Sequence, residues 1–256
     1  MEASIPFLIF IFGTCIGSFL SVLIHRIHEN EKGILLGRSK CPECKYSLRP
    51  LDLIPLISYV FSRGKCRNCE KKISLTYPAL ELMTGATFLC LYLFLGSPLY
   101  IGIYYILAFA ALIFTFFYDI KYMKISDRIL LPVIGLGLLM PFVPGYSLGF
   151  TEVLIGFAIP VVFFALQILI SGGRWIGGGD LRIGALMGVL LGWKLVIVAL
   201  FSGYLAGAII SLILLTSSKF NRKSMIPFGP FLVIGTYIAF FYGERIIEWY
   251  LALISV

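Results

Sequence analysis

Long apolar runs recur along this chain at close to the roughly 20 residues a helix needs to cross a bilayer core. They leave little choice of fold. Spans are predicted at about 5–24, 78–95, 99–118, 129–143, 151–170, 183–193, 195–215 and 227–242. The sixth is too short to cross comfortably alone and ends at Lys194, so it reads as a half-helix or merges with its neighbour. Residues 246–256 read as a surface helix. Only 13% of residues are charged and the mean hydropathy is +0.97, where a soluble domain would carry about 25% charged residues. The expectation is therefore an all-α polytopic membrane protein of about eight transmembrane helices. The first run has no basic region ahead of it and no small-residue cleavage pattern after it, so it reads as a retained helix.

Lysine and arginine favour the cytoplasmic side of short loops. Eleven of the 21 lie between Arg26 and Lys72, and eight more are Lys121, Lys124, Arg128, Arg174, Arg182, Lys219, Arg222 and Lys223. Only Lys194 and Arg245 fall on the other side. This bias predicts an outside N-terminus, a cytoplasmic loop over 26–77 and eight crossings. It also accounts for the net charge of +8, through topology and attraction to anionic headgroups. The charge is no evidence for nucleic acid.

Two acids stand where acids are expensive. Asp180 closes the run Gly177-Gly178-Gly179-Asp180 between two apolar stretches, and Asp119 ends another. Three glycines at membrane depth free the backbone to bend, expose amides and hold Asp180 at a helix start. By the charge bias both acids lie at the cytoplasmic face. Two adjacent carboxylates cannot both ionise cheaply, so they share a proton. One then activates water and the other protonates the carbonyl or the leaving amine. The expected chemistry is peptide hydrolysis by Asp119 and Asp180 without a covalent intermediate, with Gly177 and Gly179 supporting the site.

The segment from Glu29 to Ser74 is the only soluble stretch large enough to fold. Cys41-Pro42-Glu43-Cys44 is followed, after 21 residues, by Cys66-Arg67-Asn68-Cys69, nearly the spacing of a four-cysteine zinc ribbon. Each turn points two thiolates at one ion, and nearby lysines and arginines favour the thiolate form. A cytoplasmic loop stays reduced, which argues for structural zinc over disulfides. The metal would also supply folding free energy that so short a segment lacks. The domains expected are a first helix over 1–27, a zinc-binding insertion over 28–76 and a membrane-embedded peptidase over 77–256.

Other candidates carry milder readings. Glu81, one turn into the second span, tunes the aspartates, pairs with an arginine or reaches cytoplasmic water. Gly17, Ser18 and Ser21 let another helix approach closely. His25 and His28 have the spacing of a metal pair but no adjoining ligand, and interfacial snorkelling is preferred. Cys15 and Cys90 read as core packing, and Asp127 as the cap of the next helix.

Taken in order, GSFLSVLIHR, CPEC, LIPLISY, CRNC, YPALEL, DIKYMKISD, GGGD and IPFGPF resemble the motifs of the bacterial type IV prepilin peptidases, which include the pseudopilin processors of type II secretion and competence. The resemblance covers the chain from its first span to its last. It implies a GxGD aspartyl protease of the inner membrane that removes a short basic leader from prepilins or pseudopilins on the cytoplasmic side. It also implies N-methylation of the new terminus with S-adenosylmethionine, catalytic roles for Asp119 and Asp180, and metal binding by Cys41, Cys44, Cys66 and Cys69. Three positions depart from the family pattern: Ser21 stands where asparagine is usual, Ser126 where proline is usual and Arg182 where lysine is common.

Three alternatives stay open. One is a peptidase without methyltransferase activity. An ion-coupled transporter would also set acids beside broken helices, but it has no use for a zinc ribbon, and no internal repeat is evident. A zinc-bearing adaptor leaves the two membrane acids without a purpose. The oligomeric state is not legible.

Overall fold

The computed structural model describes residues 4–30, 37–96, 98–216 and 226–254. Lys32, Lys219, Arg222 and Lys223, which contribute to the charge bias, and the last two residues of the 246–256 segment lie outside the described residues. Eight α-helices follow one another: α1 Ser4–His28, α2 Ile57–Phe61, α3 Thr76–Leu95, α4 Leu99–Tyr122, α5 Asp127–Leu139, α6 Phe150–Ser171, α7 Gly178–Leu215 and α8 Gly229–Ile254. All but α2 and α5 are long and apolar enough to cross a membrane. Large apolar side chains are exposed along these helices, as a lipid-facing surface requires. The chain is a multi-pass membrane protein. It divides into two compact units, Met1–Phe117 and Tyr118–Val256.

In the first unit α1 packs on α3 through small residues. A Cβ at Gly17 would lie 2.7 Å from the Glu81 Cα, and one at Gly13 would lie 2.8 Å from the Gly85 Cα. The close approach expected at Gly17 is therefore made, and its partner is the helix begun by YPALEL. The Ser21 hydroxyl instead donates to the Ser18 carbonyl of its own helix, at 2.7 Å. Cys15 and Cys90 are exposed, contrary to the core packing expected of them. Cys15 lies two residues from both Gly13 and Gly17, which turns it off the face that meets α3.

In the second unit α7 resolves the ambiguity of the sixth and seventh spans. Its 38 residues would reach about 57 Å if straight, at 1.5 Å per residue. They do not run straight, because Gly192 has φ 70° and ψ 178°, a conformation open essentially to glycine alone. Gly184 sits against Phe164 and Pro160 of α6. Tyr204, twenty positions later, stacks edge-on against Phe163 with ring centroids 5.8 Å apart and donates a hydrogen bond to Gln167. Gly192 itself lies near Leu148 and Glu152, at the opposite end of α6. The chain thus runs down α6 in residues 178–191, turns at Gly192 and returns in residues 193–215. α7 is a helical hairpin, and each of the eight expected apolar runs corresponds to a helix or to one of its arms. Residues 246–254 continue α8 without a break.

Glycines set how closely these helices approach. A Cβ at Gly188 would lie 2.1 Å from the Gly156 carbonyl oxygen, and one at Gly235 would lie 2.2 Å from the Ala199 carbonyl oxygen. Backbone-to-backbone contact of this kind is how membrane helices associate where lipid gives no hydrophobic drive. Gly188→Leu should therefore destabilise the detergent-solubilised protein by about 1–3 kcal/mol or more through overpacking, seen as a lower thermal midpoint. Gly135→Ala, whose Cβ meets nothing within 4 Å, should leave the midpoint unchanged.

Candidate functional site

Asp119 lies in the last turn of α4, and Met123 stops the helix by taking a left-handed φ of 50° while its amide donates to the Asp119 carbonyl at 2.8 Å. The Asp119 side chain is only 6% exposed, and its Oδ2 accepts a hydrogen bond from the Gly229 amide at 3.0 Å. Gly229 is the first residue of α8. Its amide is one of those a helix start leaves without an internal partner, and the macrodipole there favours a negative group. A Cβ at Gly229 would fall 2.6 Å from that carboxylate oxygen and 2.9 Å from the Ile183 Cδ1. Only glycine allows this contact.

Asp180 is reached from the other side of the same cluster. Gly177 is the N-cap of α7, with φ −81° and ψ 152°. Gly178 and Gly179 form the first turn rather than a free bend. Asp180, third in the helix, turns its Oδ2 back to accept the Gly177 amide at 3.3 Å, one half of a capping box. It is 7% exposed. A Cβ at Gly179 would lie 2.6 Å from the Ile125 Cδ1, so this glycine lets the start of α7 rest on the α4–α5 connection. Ile183, one turn after Asp180, packs where Asp119 meets Gly229. The two carboxylates therefore converge, close enough for Asp119 to act electrostatically on Asp180.

Neighbouring residues take roles the sequence reading did not give them. Ser126 occupies the N-cap of α5 without a side-chain hydrogen bond, and Asp127 stands one position inside the helix. Asp127 Oδ1 instead pairs with the Arg182 Nε at 2.6 Å, while another guanidinium nitrogen of Arg182 donates to the Gly178 carbonyl at 3.1 Å. Arg182 thus ties the start of α5 to the first turn of α7, two residues from Asp180. Gly229 was missed as well. Its signal was the Gly-Pro pair of IPFGPF, a pattern that opens helices.

In the first unit, Glu81 is buried and its Oε2 accepts the Leu56 amide at 2.7 Å. Ser18 of α1 lies near enough to act on this carboxylate. Arg26, buried at the end of α1, donates to the Gly37 carbonyl at 2.8 Å. Among the described residues, the only grouping of three or more metal-ligand side chains is Cys41, Cys44, Cys66 and Cys69, and neither His25 nor His28 belongs to it.

The four sulfurs lie within 4.8 Å of one another. Tetrahedral zinc with bonds of about 2.3 Å holds its sulfurs roughly 3.8 Å apart, and Cys41 Sγ and Cys69 Sγ stand 3.9 Å apart. The two knuckles repeat one backbone pattern. Cys41 donates to the Tyr46 carbonyl and accepts from the Lys45 amide; Cys66 donates to the Lys71 carbonyl and accepts from the Glu70 amide, all at 2.9 Å. Lys45 and Glu70 both take left-handed φ, 58° and 56°. The Tyr46 amide, with the Asn68 side chain, pulls the Cys44 thiol down to about 6. The backbone amides of Cys69 and Asn68 lower Cys66. Against the Lys71 amide, burial and the three neighbouring sulfurs push Cys69 up to about 11. The donor set suits a soft dication, whose charge offsets the repulsion among four thiolates.

A polytopic helical membrane protein with a convergent carboxylate pair and a four-cysteine insertion is thus defined. The model for the bacterial peptidase A24 N-terminal domain matches residues 11–95, and that for the type IV leader peptidase family matches residues 106–212. The chain is 33% identical to the prepilin leader peptidase/N-methyltransferase of Bacillus subtilis (strain 168), over 95% of this chain and 97% of the relative. Its identity to the protein of the same name from Aeromonas hydrophila is 30%, over 95% and 93%, and to that from Pseudomonas aeruginosa 29%, over 93% and 91%. The chain belongs to the type IV leader peptidase family. No solved structure matches it significantly.

The cysteine geometry makes a direct prediction. Elemental analysis of the purified protein should find one zinc per chain, and Cys41→Ser should lose it. Because the ligands bind as thiolates, acid competes with the metal: zinc should be retained at neutral pH and released on acidification, as the four thiols take up their protons.

Proposed function

We propose that the protein is a prepilin leader peptidase in which Asp119 and Asp180 hydrolyse the bond between a short basic leader and the mature prepilin or pseudopilin. The single observation that carries this reading is the convergence of two buried carboxylates, from the end of α4 and the start of α7, each with one oxygen engaged by a backbone amide. The names of relatives that align over nearly the whole chain support it. With Oδ2 of each acid so held, the one proton the pair shares sits on a remaining oxygen, leaving the other carboxylate ionised. One carboxylate takes a proton from water as it adds to the scissile carbonyl. The other donates its proton to the carbonyl oxygen; on collapse the first passes the proton taken from water to the leaving amine, and the second recovers its own from the tetrahedral hydroxyl.

The same names include an N-methyltransferase, which supports S-adenosylmethionine as a second substrate that methylates the new terminus. The basic-residue bias supports an outside N-terminus and a site at the cytoplasmic face of the inner membrane. Structural zinc in the four-cysteine cluster would hold the insertion folded, with no part in hydrolysis. Prepilins and the bilayer are the partners this reading calls for.

Asp119→Asn and Asp180→Asn should each lower leader cleavage by at least about 100-fold while the protein still inserts; normal processing by either variant would refute the dyad. Gly229→Ala should also cut cleavage, because its methyl displaces the Asp119 carboxylate, whereas Gly178→Ala, which meets nothing within 4 Å, should process normally. Asp127→Asn should keep substantial activity, since exposed ion pairs contribute only about 0–1 kcal/mol. Mass spectrometry of prepilin incubated with labelled methyl donor reads cleavage and methylation separately.

A further inference from the structure

The segment between the two cysteine knuckles has no role in the reading above. It forms a 3-10 turn over Pro50–Leu53 and the short α2, Ile57–Phe61. For part of a soluble insertion its surface is anomalous: Leu51, Ile54 and Ile57 are exposed, Val60 is 72% exposed and Phe61 80%. Leu75, where the chain enters α3, is exposed too. Bulky apolar side chains clustered this densely mark a surface made to be covered.

Two further observations say what covers it. The first is depth. The Leu56 amide, at the centre of the segment, donates to Glu81, the sixth residue of membrane-spanning α3. Five residues at 1.5 Å place that carboxylate about 7.5 Å along the helix from its start. Gly17, whose Cβ would lie 2.7 Å from the Glu81 Cα, is eleven residues inside α1 from its end at His28. The segment is therefore tied to the flank of α3 where α1 meets it, partway along both apolar helices and not beyond their ends. The second is charge. The apolar cluster is followed at once by a cleft lined by Ser62, Arg63, Lys65, Cys66, Arg67 and Glu70. Arg67 is paired to Asp52, and Arg63 and Lys65 are exposed.

We propose that residues 51–61 are an interfacial membrane element: Leu51, Ile54, Ile57, Val60 and Phe61 enter the headgroup and acyl boundary of an anionic leaflet beside α1 and α3, while Arg63 and Lys65 bind lipid phosphates. Apolar side chains rimmed by basic ones are how monotopic elements hold a membrane surface, with each basic residue near an anionic leaflet adding attraction. The Glu81 bond sets the depth, and the four-cysteine cluster, one knuckle on each side of the segment, holds its two ends together. The element thus gives the insertion a fixed height above the bilayer.

The test uses the full-length protein with Trp175, Trp193 and Trp249 replaced by phenylalanine and a single reporter, Phe61→Trp. It is reconstituted in vesicles of phosphatidylethanolamine and phosphatidylglycerol, with and without lipid brominated on its acyl chains. The expected result is blue-shifted emission, quenched about twofold by the brominated lipid, as for a side chain seated in the interface. Glu70→Trp in the same background should be quenched little. Arg63→Gln with Lys65→Gln should weaken the quenching of the Phe61→Trp reporter, and omission of phosphatidylglycerol should do the same. Emission typical of water, unaffected by brominated lipid and quenched by acrylamide, overturns the proposal. So does a blue shift that arises only when a prepilin is added, which would make the face a substrate-docking surface instead. The readout needs no catalysis, so its failure and failure of the peptidase reading are distinguishable.

Discussion

The hydrogen bond from the Gly229 amide to Asp119 is the contact from which the rest of the second unit takes its arrangement. A carboxylate removed from bulk water is costly unless hydrogen-bonded. Here the partner is supplied by the unsatisfied end of another helix, 110 positions away in sequence. The bond fixes the end of α4 against the start of α8, and the glycine that donates it also leaves room for Ile183. Ile183 brings the first arm of α7, and with it Asp180. Three helix ends are thereby gathered at one level, and the backbone contacts of Gly156 with Gly188 and of Gly235 with Ala199 keep them there.

Much of this was readable in the sequence because membrane insertion makes the code redundant. Each apolar run had to be a helix, and isolated acids at run ends stood out against 59% hydrophobic composition. The paired knuckles were legible for a similar reason, since CxxC at that spacing has few other uses. What stayed hidden depends on tertiary partners. Gly229 has no chemistry of its own, and its part follows only from the carboxylate placed opposite it. Asp127 read as a cap because it opens a helix, yet its pairing with Arg182 needs the start of α7 to be alongside. Cys15 and Cys90 read as packed because cysteine usually is, whereas the α1–α3 contact is made by glycines on another face. Eight crossings with Lys194 opposite Arg182 already implied a reversal after the sixth span, but its seat at Gly192 emerges from the contacts of Gly184 and Tyr204 with one stretch of α6.

The insertion and the membrane part are built by different physics. The cysteine knuckles carry little apolar core and are drawn together by their sulfurs and by turns of matched geometry. The helices are held by close backbone approach. In the first unit the two regimes meet at Glu81, whose carboxylate is spent on the Leu56 amide. This acid joins a metal-type module to a membrane helix.

The shortness of α5 has a consequence for the lipid around it. α5 has 13 residues and reaches about 20 Å, well short of a hydrocarbon core near 30 Å, and it leaves Leu131, Leu136 and Leu139 exposed, whereas residues 183–191 of the hairpin are buried among their neighbours. Segments with this mismatch force the surrounding leaflets to thin and draw headgroups inward. Polar solvent is thereby brought nearer to the start of α5, which Arg182 ties to the first turn of α7 and so to the acid pair that needs a water molecule.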